Sequence, residues 1–462
     1  MSNQKGPITS RNSVPATIIK AEIKSNEGSG KVDTTGGVVE LLYHESILQD
    51  SIKVDYIFAD TGNTIKGKSA WEGLPIVGTE DFQLAFEDNN GEKIEFSDKK
   101  KNTLIVNKIT PIEIDGAKVI VTLSLVGEEF VRNEEGASAI NNIMKDKKIS
   151  DHVEDILKNF LITEKKLDIE DTFNKLNFAG NNKKPYYTLN WLCRKSIPVD
   201  KGSQNDDQPG KTAGFLFWET AEGFHFKSID SLFSDEKNPV KKRFIFTSTT
   251  DGERIPEGYD GKVLEQVADN RINYQDKLKM GAYSTKLIVF DPFNFEYKEV
   301  PQTAEESESE MTMGGKGLPK FNKKFKNPSD EENFTRTTFM FVDAGTLPSG
   351  TGEGKEQEQV EKSEEENFES QKVLNQGIRR YNQFFAQLQT VTIAGDFSLH
   401  AGDAIYIDSP SVQTETTDEV NKETGGLYII ADLCHYVSPS ETFTKMNLVR
   451  DSFGRVAESA SV

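Results

Sequence analysis

Few residues in this sequence have the type and spacing of a catalytic or metal-binding site. The 462-residue chain contains only five histidines, at positions His44, His152, His225, His400 and His435. None of them forms a His-x-x-x-His or His-Glu-x-x-His pattern, so a helix-borne zinc site has no ligands. His225 alternates with Phe224 and Phe226 in a predicted strand. We therefore expect it to face solvent rather than to act in catalysis.

Glycine and serine motifs give no enzyme signature either. The segment 350–356 is glycine-rich, but a phosphate-binding loop needs Gly where Ser349 stands and Ser or Thr where Glu356 stands. Ser69 lacks the flanking glycines of a nucleophile elbow. The 75 Asp and Glu residues allow many glycosidase-like carboxylate pairs, but abundance alone identifies none. We therefore expect no catalytic, metal-binding or cofactor-binding residues.

Only two cysteines occur, Cys193 and Cys434, and both lie in apolar stretches. Two residues cannot build a disulfide-rich scaffold or a cysteine-based zinc site. We therefore expect them to be buried free thiols.

The charge balance restricts the possible partners. Lys and Arg number 55 against 75 Asp and Glu, which gives a formal net charge of −20. Binding to phosphates or to anionic membranes needs a basic surface, so the acidity argues against specific nucleic-acid binding and against membrane adhesion. The first thirty residues contain no apolar signal-peptide core, and no window approaches a membrane span. We expect a protein that is synthesised in a cytoplasm and has no membrane anchor.

The elements that would position any site are mainly β-strands. Over residues 17–131, apolar and polar residues alternate, most clearly at 52–58. Turn sequences at 60–63 and 88–91 separate such runs. Several short strands at this spacing predict a closed barrel or a sandwich.

A helical period appears in three places. One helix is predicted over 153–160, with Ser150 as its N-cap, and another begins at Pro185. A third follows the capping-box pattern at 363–366 and carries an apolar stripe over 374–388. Such a stripe packs on a core or on a partner helix, and its spacing favours the core.

Aromatic residues mark a hairpin between the second and third helices. Two aromatic runs, 215–219 and 224–229, flank a short turn that contains Gly223. Further strands are predicted over 283–297 and between residues 391 and 449.

Two polar tracts, 301–331 and 349–370, interrupt these elements. Within the second, residues 353–369 contain eight Glu and two Lys. Neither tract can bury enough apolar surface to offset its ordering entropy. We predict that both are mobile, solvated loops rather than binding sites.

Two stretches, 185–235 and 370–455, contain motifs that occur in the same order in a known family. The first combines the predicted helix with the aromatic hairpin, and the second contains a strand that follows an Ala-Gly-Asp turn at 401–403. In these motifs the chain resembles the baseplate hub proteins of contractile-tailed phages of the T-even type, and it is similar to the hub part of type VI secretion spike proteins. The residues that carry the resemblance are packing and turn residues: Trp191, Phe217, Trp218, Glu219, Gly223, Phe224, Phe226, Gly395, Gly402, Asp403 and Tyr428.

The resemblance implies a mainly β fold with an α+β connector, in which two similar β-barrel domains are joined by a helical connector. It assigns each part of the chain to a domain. The expected domains are 1–133 for the first barrel; 134–212 and 240–384 for the connector, with acidic insertions at 301–331 and 349–370; 213–239 and 385–455 for the second barrel; and 456–462 for a C-terminal tail.

The implied function is structural rather than enzymatic. A homotrimer of two-barrel subunits would form a pseudo-sixfold ring that joins the sixfold tail tube to the threefold central spike and lets DNA pass on ejection. The implied location is the baseplate of the phage tail in the virion. The implied partners are further copies of the chain, a central spike protein, a tail tube or tube-initiator protein, and baseplate wedge and tape-measure proteins. Part of the negative charge would line the channel, where it would repel DNA.

Two alternatives stay open. A tail-associated peptidoglycan hydrolase would need a carboxylate pair or a metal triad in a cleft. A β-rich module that binds a host receptor or glycan would need exposed aromatic platforms.

Overall fold

The fold was analysed on a computed structural model, which describes most of the chain. Its described residues are 14–26, 30–60, 68–74, 76–98, 102–115, 118–201, 207–210, 212–246, 255, 257–270, 273–292, 295–303, 311–318, 324, 336–341, 370–409, 421 and 424–455. The two polar tracts lie mostly outside these residues, and the predicted C-terminal tail and the capping box at 363–366 lie wholly outside them.

The first eight strands form one rolled sheet. They are β1 (Thr17–Lys24), β2 (Lys31–Asp33), β3 (Val38–Ser46), β4 (Lys53–Asp60), β5 (Asp81–Glu87), β6 (Lys93–Asp98), β7 (Asn102–Asp115) and β8 (Lys118–Gly127), with the short helix α1 (Ala70–Gly73) between β4 and β5. Their order is β2-β1-β5-β6-β7-β8-β4-β3, and β5 also pairs with β7. Alternate residues such as Tyr43, Tyr56 and Phe82 point into one common core. The two-residue period of the sequence therefore gives the sheet an apolar inner face.

A mixed connector follows. Its elements are α2 (Glu128–Arg132), β9 (Ile143–Met144), α3 (Ile149–Asp155), β10 (Lys166–Ile169), β11 (Phe178–Ala179), α4 (Pro185–Cys193), β12 (Val199–Lys201) and β13 (Asp207–Pro209). Helix α3 begins after Lys148, so the prediction of Ser150 as its N-cap was wrong, and a π-helical turn over Ile156–Phe160 continues it. Helix α4 has Pro185 in its first turn, as predicted.

The predicted aromatic hairpin is present as β14 (Phe215–Thr220) and β15 (Gly223–Ser228), followed by α5 (Ile229–Leu232). It does not belong to the second barrel, to which we had assigned 213–239. Instead, β15 pairs in parallel with β10 of the connector in a separate three-stranded sheet. The reason is that β14 is buried on both faces: Phe215 and Phe217 enter the connector core, while Leu216 and Trp218 enter a core against the second barrel.

The second barrel takes its strands from two distant parts of the chain. They are β16 (Lys242–Phe246), β17 (Gly261–Asn270), β21 (Gln387–Ala394), β22 (Ala404–Asp408), β23 (Gly426–Val437) and β24 (Thr442–Arg450). The order β23-β22-β16-β17-β21-β24 closes through the pairing of β24 with β23. The predicted mainly β fold with a barrel is therefore confirmed. The first two strands lie in the range expected to be connector, so that boundary was wrong.

Between β17 and β21 lies a smaller unit. It contains α6 (Tyr274–Met280), β18 (Ser284–Asp291), β19 (Glu296–Thr303), β20 (Arg336–Phe341) and α7 (Ser370–Phe384). The sheet order is β19-β18-β20, and α7 packs on it. In the part of the chain that the structure describes, no helix is long and apolar enough to cross a membrane.

The first rolled sheet, referred to here as the first barrel, and the closed second barrel are joined through their strands. Residues Leu41–Ser46 of β3 pair antiparallel with Asp432–Val437 of β23. The first sheet and the barrel therefore form one continuous fourteen-stranded sheet. Such a ladder of backbone hydrogen bonds fixes the orientation of one barrel relative to the other.

The hairpin contacts the second barrel where Gly402 turns the chain into β22. The backbone of Gly402 has φ of +94°, and a Cβ atom added there would lie 2.6 Å from the Trp218 ring carbon Cζ2. A side chain at this position is therefore both conformationally strained and in collision with a buried ring.

We expect Gly402→Ala to lower the free energy of unfolding by about 2 to 4 kcal/mol, measured by chemical denaturation. Gly36→Ala is the matched control, because an added Cβ meets nothing within 4 Å there. It should change stability by less than about 0.5 kcal/mol. Equal effects of the two substitutions would contradict the role assigned to the Gly402–Trp218 contact.

Candidate functional site: the junction of hairpin and barrels

The residues of the family-like motifs lie in three places. Eight of them are near the hairpin: Phe217, Trp218, Glu219, Gly223, Phe224 and Phe226 lie in it, and Gly402 and Asp403 lie in the barrel turn against it. The other three are elsewhere. Trp191 of α4 packs on Phe178, Gly395 follows β21 and lies against Thr442, and Tyr428 lies inside the second barrel. The hairpin is therefore the point at which most of the motif residues meet.

A buried carboxylate, Glu45 of β3, ties three modules together. It is 2% exposed. Its oxygens accept hydrogen bonds from the backbone N–H of Ala221 in the hairpin turn at 2.9 Å and of Ala401 in the barrel turn at 2.8 Å. They also contact the hydroxyl of Tyr43 at 2.6 Å and His400 Nδ1 at 2.9 Å. One side chain of the first barrel thus holds the hairpin and the second barrel.

The protonation states of Glu45 and His400 follow from the same contacts. Burial alone would raise the pKa of Glu45, but the charge and hydrogen bonds of its neighbours, His400 first, lower it to about 2. Burial would also lower the pKa of His400, but Glu45 outweighs that effect and raises it. An ionised Glu45 beside a protonated His400 is therefore the stable arrangement at mildly acidic pH.

A second buried charge cluster also includes a hairpin residue, Glu219. Lys165 Nζ contacts Glu129 Oε2 at 2.7 Å and Glu219 Oε1 at 2.5 Å, with side chains 6% exposed or less. The second oxygen of Glu219 accepts hydrogen bonds from Ser51 Oγ at 2.8 Å and from the N–H of Ile52 at 3.1 Å. Burial opposes the charge of Lys165, but the two carboxylates outweigh it and raise its pKa. This cluster links the connector, the hairpin and the first barrel.

Trp218 completes the contact with the second barrel. Its indole Nε1 donates to the carbonyl oxygen of Ala401 at 3.0 Å, and its ring stacks on His225 with centroids 5.0 Å apart. The His225 side chain is only 14% exposed, so the prediction that it faces solvent was wrong. Stacking on Trp218 covers the imidazole.

His225 is also the centre of a hydroxyl–imidazole–carboxylate chain. Its Nε2 lies 2.9 Å from Thr220 Oγ1, and its Nδ1 lies 3.3 Å from Asp168 Oδ2. This order of groups resembles a nucleophilic triad. However, Thr220 is 2% exposed, and its hydroxyl accepts a hydrogen bond from the N–H of Glu222. A nucleophile must reach its substrate, and this buried hydroxyl cannot, so the chain of groups positions the hairpin.

The structure also shows where possible metal ligands and the two cysteines lie. Among the described residues, no group of three or more His, Cys, Asp or Glu side chains could hold a metal ion. Cys193 is a buried free thiol, as expected, whereas Cys434 is half-buried on the outer face of β23.

That outer face forms a polar cleft of about 720 Å³ that spans both barrels. It follows the shared sheet across β4, β3, β23 and β24. Glu45 borders the cleft, but its carboxylate lies in the core. The charged residues of the lining that face outward are three lysines and two carboxylates, namely Lys53, Lys108, Lys445, Asp55 and Asp432. The charges of this cleft are therefore close to balance.

The sequence predicted the hairpin and its aromatic residues. It did not predict that the charges of Glu45, Lys165 and His400 are buried between the modules. Glu45 stands in an alternating strand and could have been noticed, because it occupies a core-facing position after Leu41 and Tyr43. A charged residue in the apolar register of a strand signals a buried partner. Lys165 has no comparable signal.

Comparison with known proteins gives a likeness in fold. No protein-family model matches the sequence, and no curated protein sequence matches it. The tail protein from Neisseria meningitidis aligns with a TM-score of 0.50 at 9% identity, over 94% of this chain and 96% of that chain. The 43 kDa tail protein of prophage MuSo2 from Shewanella oneidensis gives 0.49 at 10% identity, over 94% and 98%. A type VI secretion component from Escherichia coli, similar to T4 phage tail proteins, gives 0.41 at 8% identity, over 95% and 79%.

The fold and the alignment agree. The described chain has a mainly β fold that it shares with the tail protein from Neisseria meningitidis, so the predicted resemblance is confirmed at the level of the fold. At this identity the likeness carries no information on individual residues.

Removing the Lys165 cation from its cluster with Glu129 and Glu219 should destabilise the fold. Lys165→Met leaves Glu129 and Glu219 buried without their counter-ion, so we expect the free energy of unfolding to fall by about 3 to 5 kcal/mol. Lys158→Met is the control, because Lys158 forms an exposed ion pair with Glu154, and its loss should cost less than about 0.5 kcal/mol. A similar small loss in both variants would disprove the role of the cluster.

The Glu45–His400 pair should make stability depend on pH. The folded-state pKa of His400 is raised above its ordinary value of 6.5, so its contribution is fully present below pH 6.5 and is lost as the pH rises through the folded-state value. The wild type should therefore exceed His400→Asn in unfolding free energy by the largest amount below pH 6.5. This difference should decrease as the pH rises above 6.5. Asp403 and Lys241 also face His400 and are unchanged in both proteins.

His44→Asn is the control for that titration. Burial lowers the pKa of His44, so its contribution should change with pH in the opposite direction. Urea titrations at a series of pH values measure both. A wild-type advantage over His400→Asn that does not change with pH would contradict the assignment.

Proposed function

We propose that this chain is the structural hub of a contractile phage tail baseplate, which assembles as a trimer between the tail tube and the central spike. The observation that carries the proposal is the pairing of β3 with β23, which joins two barrel modules edge to edge in one sheet. The fold shared with a tail protein supports the same role.

The geometry of one subunit supports the symmetry of the proposed ring. Each chain contributes two barrel-type modules in a fixed relation, so three chains would contribute six modules around a threefold axis. Such a ring presents near-sixfold contacts on the tube side while it keeps threefold symmetry for a spike. Closed rings of this kind need a heterologous interface, in which one face of a subunit meets a different face of the next.

The polar cleft is the surface that we assign to the channel. It runs across both barrels, and its outward-facing charges are three lysines and two carboxylates. A wall whose charges nearly cancel does not hold DNA tightly, because tight phosphate binding requires a strongly positive surface. This differs from the net negative lining that we expected from the composition.

The partners follow from this position in the tail. A tube or tube-initiator protein would contact one side of the ring and a separate spike protein the other, with baseplate wedge and tape-measure proteins beside them. The protein would reside in the tail baseplate of the virion. The role needs no catalysis, which agrees with the buried state of the Thr220 hydroxyl.

An exposed aromatic face gives one reason to keep the glycan-binding or receptor-binding alternative. Phe295, Tyr297, Phe339 and Phe341 of the small sheet are 60 to 82% exposed. Aromatic platforms of this kind stack on sugar rings or on partner proteins. A glycan-array screen with Phe339→Ser as the control tests this alternative, which predicts binding that the substitution removes.

The hub proposal predicts an oligomer of defined size. The purified chain alone, or the chain with its spike protein, should have a protein mass by multi-angle light scattering that contains three copies of the 51.7 kDa chain. Electron micrographs of the particle should show a ring with threefold symmetry. A monomer that stays monomeric with the spike and tube proteins present would disprove the proposal.

A turbidity assay on purified cell walls separates the hub from the hydrolase alternative. The hub proposal predicts no clearing above the rate of a buffer control. Lysis that Thr220→Val or Asp168→Asn abolishes would instead identify an enzyme.

A further inference from the structure

A second groove lies away from the polar cleft, between α4, the hairpin and α7. Its volume is about 590 Å³. The floor is made by the side of β14, with Phe215, Leu216 and Phe217, and one wall is made by Gly377 and Ile378 of α7. Most of this lining is apolar, so water in the groove is easily displaced by an apolar side chain.

The charge of the groove is opposite to that of the whole protein. Although the chain has a formal net charge of −20, the described residues of the lining include two arginines, Arg194 and Arg336, and no carboxylate. Both arginines are exposed. Among the described residues, Arg194 makes no ion pair, and Arg336 donates to the carbonyl oxygen of Met280 at 3.2 Å. Asp50, two residues after Leu48, accepts a hydrogen bond from the lining residue Asn190 and is not itself part of the lining.

The glycine in the wall is an independent observation. Gly377 stands in the middle of α7, where glycine destabilises a helix relative to alanine. Its own surroundings do not require it, because a Cβ atom added there would meet only Tyr381 Cε2, at 4.0 Å. The missing side chain leaves the groove open along the helix. A ligand that approaches the helix closely would explain this glycine.

The end of the groove supplies an apolar contact. Leu48, in the turn after β3, is 56% exposed and borders the groove beside the buried Ile47. The Tyr381 hydroxyl is not available to a ligand, since it donates to the carbonyl oxygen of Phe215 and accepts from its N–H. Recognition in the groove therefore depends on apolar packing and on the two guanidinium groups.

We propose that this groove binds an acidic peptide segment of a partner protein. A bulky apolar side chain of the segment would lie on the β14 floor beside Gly377, and its carboxylates would pair with Arg194 and Arg336. Guanidinium groups bind carboxylates through two parallel hydrogen bonds, which gives both attraction and orientation. The site stands independently of the proposed tail role, because it rests on other residues.

The test uses a defined probe in place of the natural partner. A short fluorescein-labelled peptide with one phenylalanine flanked by glutamates is titrated with the full-length protein, and fluorescence anisotropy is measured. The matched peptide has lysine in place of each glutamate. The glutamate peptide should bind with saturation, and the lysine peptide should bind at least about tenfold more weakly.

Substitutions in the groove then test where the peptide binds. Arg194→Glu should weaken the glutamate peptide at least about tenfold and strengthen the lysine peptide, whereas Lys24→Glu, the same charge change on the first barrel, should change neither. Gly377→Leu should fill the groove and abolish binding while the melting temperature stays equal or rises, because leucine favours the helix.

Three results would overturn the proposal. They are an absence of saturable binding of the glutamate peptide, equal affinity for both peptides, and affinity that Arg194→Glu and Gly377→Leu leave unchanged. Melting curves of each variant establish that a loss of binding does not come from unfolding.

Discussion

The arrangement of this protein depends on a buried carboxylate that has no solvent to satisfy it. Glu45 must receive all its hydrogen bonds from protein donors, and those donors come from its own strand, the hairpin turn and the turn before β22. An ionised group in such a place is stable only when every donor is present. The three modules are therefore held in one relative position, since displacing any of them would leave a buried charge without partners.

The same constraint explains why the hairpin is the centre of the motif residues. Its β14 strand separates two cores and has apolar side chains on both faces, so it needs protein on both sides. At its end, Glu219 meets Lys165 and Ser51, and Trp218 meets Ala401. The hairpin is therefore fixed by apolar packing on both faces and by buried polar contacts at its end.

Much of the fold could be predicted from the sequence, but its assembly could not. Alternating residues predicted the strands of the first barrel, and the aromatic runs around Gly223 predicted the hairpin, because both signals are local. The composition of the second barrel was not predictable, because β16 and β21 are separated by more than a hundred residues and pair through β17. The hairpin was assigned to the wrong module for a related reason: its aromatic residues show that it is buried, without showing which core buries it.

The sequence by itself determined the secondary structure and excluded most chemistry, because strand period, turn residues and the number of histidines are properties of short segments. The tertiary structure alone decided which charges are buried and which are free. Lys165 and Arg194 are both single cations in the sequence, yet the fold encloses Lys165 between two carboxylates and leaves Arg194 at the edge of an apolar groove. Whether a charge stabilises the fold or binds a partner depends on its distance from groups remote in the chain, and only folding sets that distance.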